Sequence, residues 1–360
     1  MNALQEACEA FDFGGRVEDI RPYGEGHINR TWIVTGPARR YMIQQINTHV
    51  FSDPGAVMDN IVGVTRYLRT QISREGGDPD RETLTVVPTK TGASYHTCED
   101  ESAWRVYLFV EGMVCHQKAE TPEVFAAAGR GFGRFASRLE GYPVVKLTTT
   151  IPHFHDTRIR LTDLERAIHE DVAGRARTCE KEIEFARARA SDAPRLMEVV
   201  EAGDVPIRVA HNDTKLNNVL IDSHSGRDCV IDLDTVMPGL LAFDFGDAIR
   251  YGASTAAEDE PDLEKVHFSL PLFEAYTNAY LGTAGAMMTE QERNTLAWGA
   301  RLITYENGMR FLTDYLQADT YYATSTFNQN LNRCRTQFAL VAQMEEKFAV
   351  METIVQTAST

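Results

Sequence analysis

The periodicity of apolar residues changes character once along the chain, and that change restricts the fold more than any other feature. Alternating apolar and polar positions at Val17–Tyr23, His27–Thr35, Arg40–Asn47, Thr83–Thr89 and Ala103–Val110 predict the strands of a small antiparallel sheet. Between them Val57, Met58, Ile61, Val64 and Leu68 recur at helical spacing and predict a helix from Pro54 to about Thr70. From Thr121 onward helical periodicity takes over, interrupted by β-like islands at Val205–Leu220 and Cys229–Asp234. Thr289 followed by Glu292 is a capping box that opens a helix reaching about Leu316, and a further amphipathic stretch runs from Leu331 to about Val355. Strands first and helices afterwards predict an α+β fold in two lobes. Leu108–Cys115 is the candidate hinge, and Ser73–Asp80 reads as a turn.

The 360 residues suffice to build these lobes without disulfides or metals as staples. Hydrophobic residues make up 43% and charged residues 24%, which excludes disordered and coiled-coil chains. A net charge of −16 disfavours nucleic acid and anionic membrane surfaces as partners, and leaves open a cationic substrate. The six cysteines, Cys8, Cys98, Cys115, Cys179, Cys229 and Cys334, have no ligand or redox spacing and read as buried thiols of a reducing compartment. No signal-peptide pattern opens the chain and no apolar run is long enough for a membrane span, so a cytoplasmic monomer acting on a small molecule is expected.

The chemistry is concentrated in Val209–Asp222 and Cys229–Thr235. His211, Asp213 and Asn218 stand at H-x-D-x-x-x-x-N spacing, and Asp232 ends a short apolar run. That is the layout of a kinase catalytic loop followed by a metal-binding aspartate. An attacking alcohol needs a carboxylate to orient it and take its proton, which assigns the base to Asp213. Magnesium needs hard oxygen ligands, which assigns Asn218 and Asp232 to the metal. Lys215 is placed to stabilise the transferring phosphoryl group, and His211 to fix the loop. Asp244-Phe245-Gly246 imitates the kinase D-F-G, but Asp232 lies closer to the base, as a short hairpin requires; Asp244 and Asp247 read as braces, and Asp234 either as a support behind the metal ligand or as a second contact to the metal.

Upstream, Gly24 and Gly26 let a turn approach phosphates closely and predict a nucleotide flap. The next strand should carry a phosphate-pairing lysine but has Gln44 and Gln45, and the helix after it offers Asp59 and no glutamate. Both halves of the usual Lys–Glu pair are missing. Gln44 remains able to donate to a phosphate, and adenine is expected against the backbone near Phe109–Glu111.

These motifs resemble the aminoglycoside phosphotransferase and choline kinase superfamily, which has a protein-kinase-like fold. Tyr-Gly-Glu-Gly-His-Ile-Asn (23–29), Tyr-Met-Ile-Gln-Gln-Ile-Asn (41–47), Ala-Trp-Arg-Val-Tyr (103–107), His-Phe-His-Asp-Thr (153–157), His-Asn-Asp-Thr-Lys-Leu-Asn-Asn (211–218), Phe-Asp-Phe-Gly-Asp (243–247) and Gly-Met-Arg-Phe-Leu (308–312) are similar to the bacterial N-acetylhexosamine 1-kinases. The resemblance implies ATP- and Mg²⁺-dependent phosphorylation of the anomeric hydroxyl of N-acetylglucosamine or N-acetylgalactosamine. It implies a nucleotide-binding N-lobe over residues 1–110 and a catalytic, sugar-binding C-lobe over 111–360. Asp213 is then the base, with His27, Asn29 and Arg310 at sugar-contacting positions.

Several of these residues also suit a purely structural part. Arg310 lies four residues from both Glu306 and Asp314, the spacing of an ion-pair ladder on one helix face. His153, His155 and Asp156 cluster in sequence but lack a fourth ligand for zinc, so a supporting loop is expected. The same catalytic loop also suits an aminoglycoside or choline kinase, and the missing Lys–Glu pair suits a regulatory module that binds without catalysis.

Overall fold

The computed structural model describes residues 2–24, 28–222 and 224–358. The chain forms two compact units, each assembled from several stretches: residues 1–115, 138–152 and 220–238 in the first, and 116–137, 153–219 and 239–360 in the second. The architecture is the expected mixture, an antiparallel sheet in the amino-terminal region and helices in the remainder.

In the first unit, β1 (Asp19–Pro22), β2 (Arg30–Thr35), β3 (Arg40–Ile46), β4 (Val86–Val87), β5 (His96–Thr97) and β6 (Ala103–Leu108) form one sheet in the order β1-β2-β3-β6-β4, with β5 also on β6. The strand predicted over Thr83–Thr89 shrinks to two residues, because Thr83 ends a short helix and Pro88 cannot donate to a ladder. A helix that the periodicity did not indicate, α1 (Ala3–Ala10), is nucleated by a capping box: Asn2 accepts from the Gln5 amide at 2.9 Å and Gln5 reaches back to Asn2. It places Ala7 and the following Phe11 against Val34, Ile43, Trp104 and Val106 of the sheet, the core of this unit. Helix α2 (Pro54–Arg74) starts where Asp53 caps the Ala56 amide at 3.0 Å and Pro54 fits the first turn, and it runs one turn beyond the predicted end before α3 (Pro79–Glu82). A further small sheet joins β7 (Val114–Cys115) to the strand Val219–Ile221 and that strand to Asp228–Val230.

The second unit contains a strand at Arg208–Ala210 and the helices α4 (Pro122–Arg138), α5 (Thr157–Glu170), α6 (Glu180–Arg187), α7 (Arg195–Glu201), α8 (Leu241–Gly252), α9 (Leu270–Ala284), α10 (Glu290–Asn294), α11 (Leu296–Leu316), α12 (Gln329–Glu346) and α13 (Phe348–Thr357). The helix predicted from the Thr289 capping box breaks at Thr295, whose hydroxyl bonds back to the Glu292 carbonyl at 2.6 Å. The carboxy-terminal stretch breaks likewise at Lys347, whose ammonium donates to the Phe268 carbonyl at 2.9 Å. Helices α8 and α11 cross at their backbones. A Cβ on Gly299 would lie 2.1 Å from the Ala242 carbonyl oxygen, and one on Gly246 would lie 2.3 Å from that of Gly299. The glycine of the D-F-G string is therefore a packing residue. Leu302, Met309 and Leu312 of α11 centre the core of this unit with Phe338 and Val341. Among the described residues no helix is long and apolar enough to cross a membrane, and all six cysteines are free thiols.

Candidate active site

In the second unit the strand Arg208–Ala210 delivers the chain into a loop held from three directions. The first hold is α8: the Asp244 carboxylate accepts from the amides of His211 at 2.8 Å and Asn212 at 2.7 Å, and the Asp244 carbonyl accepts from the Thr214 hydroxyl. The second is aromatic: the His211 ring meets Phe132 and Phe135 edge-on, at centroid distances of 5.9 and 5.8 Å, and its Nδ1 accepts from the Asp213 amide at 3.3 Å. His211 is thus a fixture of the loop, as expected. The third is a buried relay. Asn212 has a left-handed backbone, φ 63°, a conformation asparagine tolerates better than most residues. Its carbonyl meets His155 Nε2 at 3.1 Å, His155 Nδ1 meets Glu306 at 2.9 Å, and the Thr157 hydroxyl donates to the same carboxylate at 2.8 Å.

This frame presents Asp213 with one quarter of its side chain exposed. Its Oδ1 lies 3.1 Å from Lys215 Nζ, and its Oδ2 accepts from Asn218 Nδ2 at 3.0 Å. The same Asn218 amide group also donates to the Asp213 carbonyl at 2.8 Å. Burial pushes the Asp213 carboxyl up, but Lys215, by charge and hydrogen bond, together with His211 and Arg250 outweighs it and holds the group below the ordinary carboxylate range. Burial pulls Lys215 down, and the charges of Asp213, Asp247 and Glu258 together outweigh it and hold the ammonium above its ordinary range.

In the first unit Asp232 also has a left-handed backbone, φ 58°, and an exposed side chain. The turn that follows, Leu233–Thr235, is buried and anchored on both sides. From α2, Asn60 Nδ2 donates to the Val236 carbonyl at 3.0 Å and to the Thr148 carbonyl at 2.8 Å. From β6, the Arg105 guanidinium donates through Nη1 to Asp234 Oδ1 and through Nε to Gln44 Oε1 at 3.0 Å. Burial pulls the Arg105 guanidinium down, but the charge and hydrogen bond of Asp234, with the nearby Tyr107 and Asp232, together outweigh it and hold the group above its ordinary range. Asn29 completes the network, donating to Asp234 Oδ2 at 2.7 Å and accepting from the Asn47 amide at 3.0 Å.

Asp232 in the first unit and Asn218 in the second each carry a hard oxygen of the kind magnesium takes, and because Asn218 uses Nδ2 to hold Asp213, its carbonyl oxygen is the end that such a ligand role would use.

Other expected residues take varied places. Gly24 has φ 77°, a conformation that favours glycine, whereas Gly26 and His27 lie outside the described residues. The Gln44 amide meets the Thr31 hydroxyl at 3.0 Å as well as Arg105, so both its polar ends are engaged within the sheet. The Phe109 amide donates to the Arg40 carbonyl at 3.1 Å, and its ring lies between the Tyr23 ring and the Arg40 guanidinium. The Glu111 carboxylate pairs with Arg40. Arg310 sits over the rings of Phe154 at 5.3 Å and Tyr322 at 5.7 Å. The ion-pair ladder does not form: Glu306 turns to His155 and Thr157, and Asp314 accepts from the Tyr321 and Tyr322 amides at 2.8 and 2.9 Å. Asp156 caps α5 and pairs with Arg158.

Arg105 and Asn60 were not indicated by motif reasoning. A signal existed for Arg105: a single cation in the run Ala-Trp-Arg-Val-Tyr-Leu must be buried beside an anion if that strand is central.

The sequence pattern of the phosphotransferase enzyme family matches residues 19–280. Among solved structures, the chain is similar to an aminoglycoside phosphotransferase from Alicyclobacillus acidocaldarius, with a TM-score of 0.66 and 15% identity over 98% of this chain and 96% of that one. A spectinomycin phosphotransferase solved with ADP and spectinomycin gives a TM-score of 0.58 and 11% identity over 99% and 98% of the two chains. A choline kinase from Cryptosporidium parvum gives 0.55 and 12% over 93% and 91%. At these identities the likeness is one of fold.

Proposed function

The chain belongs to the phosphotransferase enzyme family, and from that premise we propose that it transfers the γ-phosphoryl group of ATP to the anomeric hydroxyl of N-acetylglucosamine or N-acetylgalactosamine. The observation that carries the reading is the Asp213 carboxylate, kept ionised and oriented by Lys215 and Asn218 on a loop braced from α8 and α11. The sugar specificity rests on the seven strings that resemble the N-acetylhexosamine 1-kinases.

In this reading the anomeric oxygen attacks the γ-phosphorus as its proton passes to Asp213. The new O–P bond forms, the bond to the β,γ-bridging oxygen breaks, and ADP leaves with that electron pair. A hemiacetal hydroxyl is more acidic than an ordinary alcohol, so one positioned carboxylate suffices as base. Lys215 stabilises charge on the moving phosphoryl group. Magnesium, held by Asn218 and Asp232, would neutralise phosphate charge. Gly24, Gly26, Phe109 and Glu111 are assigned to ATP, as is Gln44 through the second hydrogen of the amide whose first goes to Thr31, and His27, Asn29 and Arg310 are assigned to the sugar.

The test is ADP release by the purified protein with ATP and magnesium on a panel of N-acetylglucosamine, N-acetylgalactosamine, glucose, an aminoglycoside and choline. Preference for the two acetylated sugars is expected. Preference for choline or the aminoglycoside would move the assignment to a cationic acceptor, and silence on the whole panel would contradict the sugar reading.

A further inference from the structure

The strand that should carry a phosphate-pairing lysine carries Gln44, and the residue directly opposite it in the β3–β6 register is Arg105. The cation is displaced by one strand. Its side chain is 1% exposed and its partner Asp234 is 3% exposed, so Arg105 cannot itself reach a phosphate. It reaches Asp234, two residues after the candidate metal ligand. Asn29 holds the other oxygen of that carboxylate, and Asn60 of α2 fastens the end of the same turn. In the usual arrangement a strand lysine and a helix glutamate meet each other. Here the strand residue and the helix residue both grip the turn that carries Asp232.

We propose that the Arg105–Asp234 pair, with Asn60, substitutes for the missing Lys–Glu pair by acting as a positioning clamp on Asp232, and so sets the affinity for the magnesium–nucleotide complex. This rests on the phosphotransfer reading but not on the sugar. A left-handed backbone at a non-glycine residue is held in place only when its surroundings dictate it, and the turn after Asp232 has those anchors. Outer partners of metal-holding side chains typically change metal affinity by about 10–100-fold when removed.

The experiment measures magnesium–ADP binding by calorimetry, without any acceptor, on wild type, R105K and the double variant R105Q/D234N. The double variant removes both charges together, so no unpaired ion is left buried and the protein stays folded. Chemical denaturation of each variant reports folding separately. The expected result is weaker magnesium–ADP binding by about tenfold or more in R105Q/D234N, an intermediate value in R105K, and a raised KM for magnesium–ATP with kcat changed less. A folded double variant with wild-type magnesium–ADP affinity would overturn the clamp. Failure of the wild type to bind magnesium–ADP at all would overturn both the clamp and the phosphotransfer reading, whereas binding without sugar turnover would leave the clamp standing and reject only the acceptor.

Discussion

The Asp213 loop of the second unit and the Asp232–Val236 turn of the first both depend on a carboxylate beside a cation, but they use it in opposite ways. Asp213 is a quarter exposed, its lysine partner is a third exposed, and the pair is left reachable. Asp234 and Arg105 are almost wholly buried, with Gln44 and Asn29 occupying their remaining bonds. The first pair leaves a charged carboxylate within reach of solvent. The second spends its charges on shape. A reachable pair should govern turnover with little effect on stability, and a sealed pair should govern stability and the placement of its neighbours.

The sharpest break of that contrast is Asp213→Asn, which keeps the volume and removes the proposed base. It should lower kcat by about 10²–10⁴-fold while leaving the denaturation midpoint nearly unchanged; an unaltered kcat would remove Asp213 from the chemistry. Arg105→Ala leaves Asp234 as an uncompensated buried charge and should cost about 3–5 kcal/mol in urea unfolding. Gly299→Ala forces α11 away from α8, and overpacking of this kind costs about 1–3 kcal/mol. Because α8 carries Asp244, this variant should also lower turnover. The Asp213 loop is braced by a buried acid, Glu306: burial raises its carboxyl, but the His155 hydrogen bond with the charges of His155, Arg310 and Arg160 together outweigh that and hold it below the ordinary glutamate range. The unfolded chain therefore binds the proton first as pH falls. Stability from this group is complete above the ordinary glutamate value and is lost as pH falls through the lower native one. Glu306→Gln should flatten that acid limb in stability measured between neutral and acid pH. The smallest effect is expected for the exposed Arg40–Glu111 pair, where a double-mutant cycle should return about 0–1 kcal/mol.

The same contrast separates what the sequence discloses from what it hides. The Asp213 loop is legible because its base, cation and amide lie within six consecutive residues, and because a short loop fixes their mutual reach. Asp244 could be read as a brace because it follows closely on the same chain. The sheet, too, was visible in its alternation, although β4 fell short where Thr83 and Pro88 intervene. The network around Asp234 draws on residues 29, 44, 60 and 105, which neither periodicity nor motif spacing connects. Only strand register sets Arg105 opposite Gln44, and register is decided by tertiary packing. Helix α1 escaped for a related reason: eight residues are too few for a helical period to stand out, and they gain their stability from a cap and from the sheet they cover. The breaks at Thr295 and Lys347 coincide with side-chain bonds to carbonyls, which the apolar pattern does not register.

The most direct test of the account is phosphorus NMR of the product formed from ATP, magnesium and N-acetylglucosamine or N-acetylgalactosamine by wild type and Asp213→Asn. A sugar α-1-phosphate resonance should grow with wild type and be nearly lost in the folded variant. A product phosphorylated elsewhere on the sugar, or equal product from both proteins, would contradict the proposed activity.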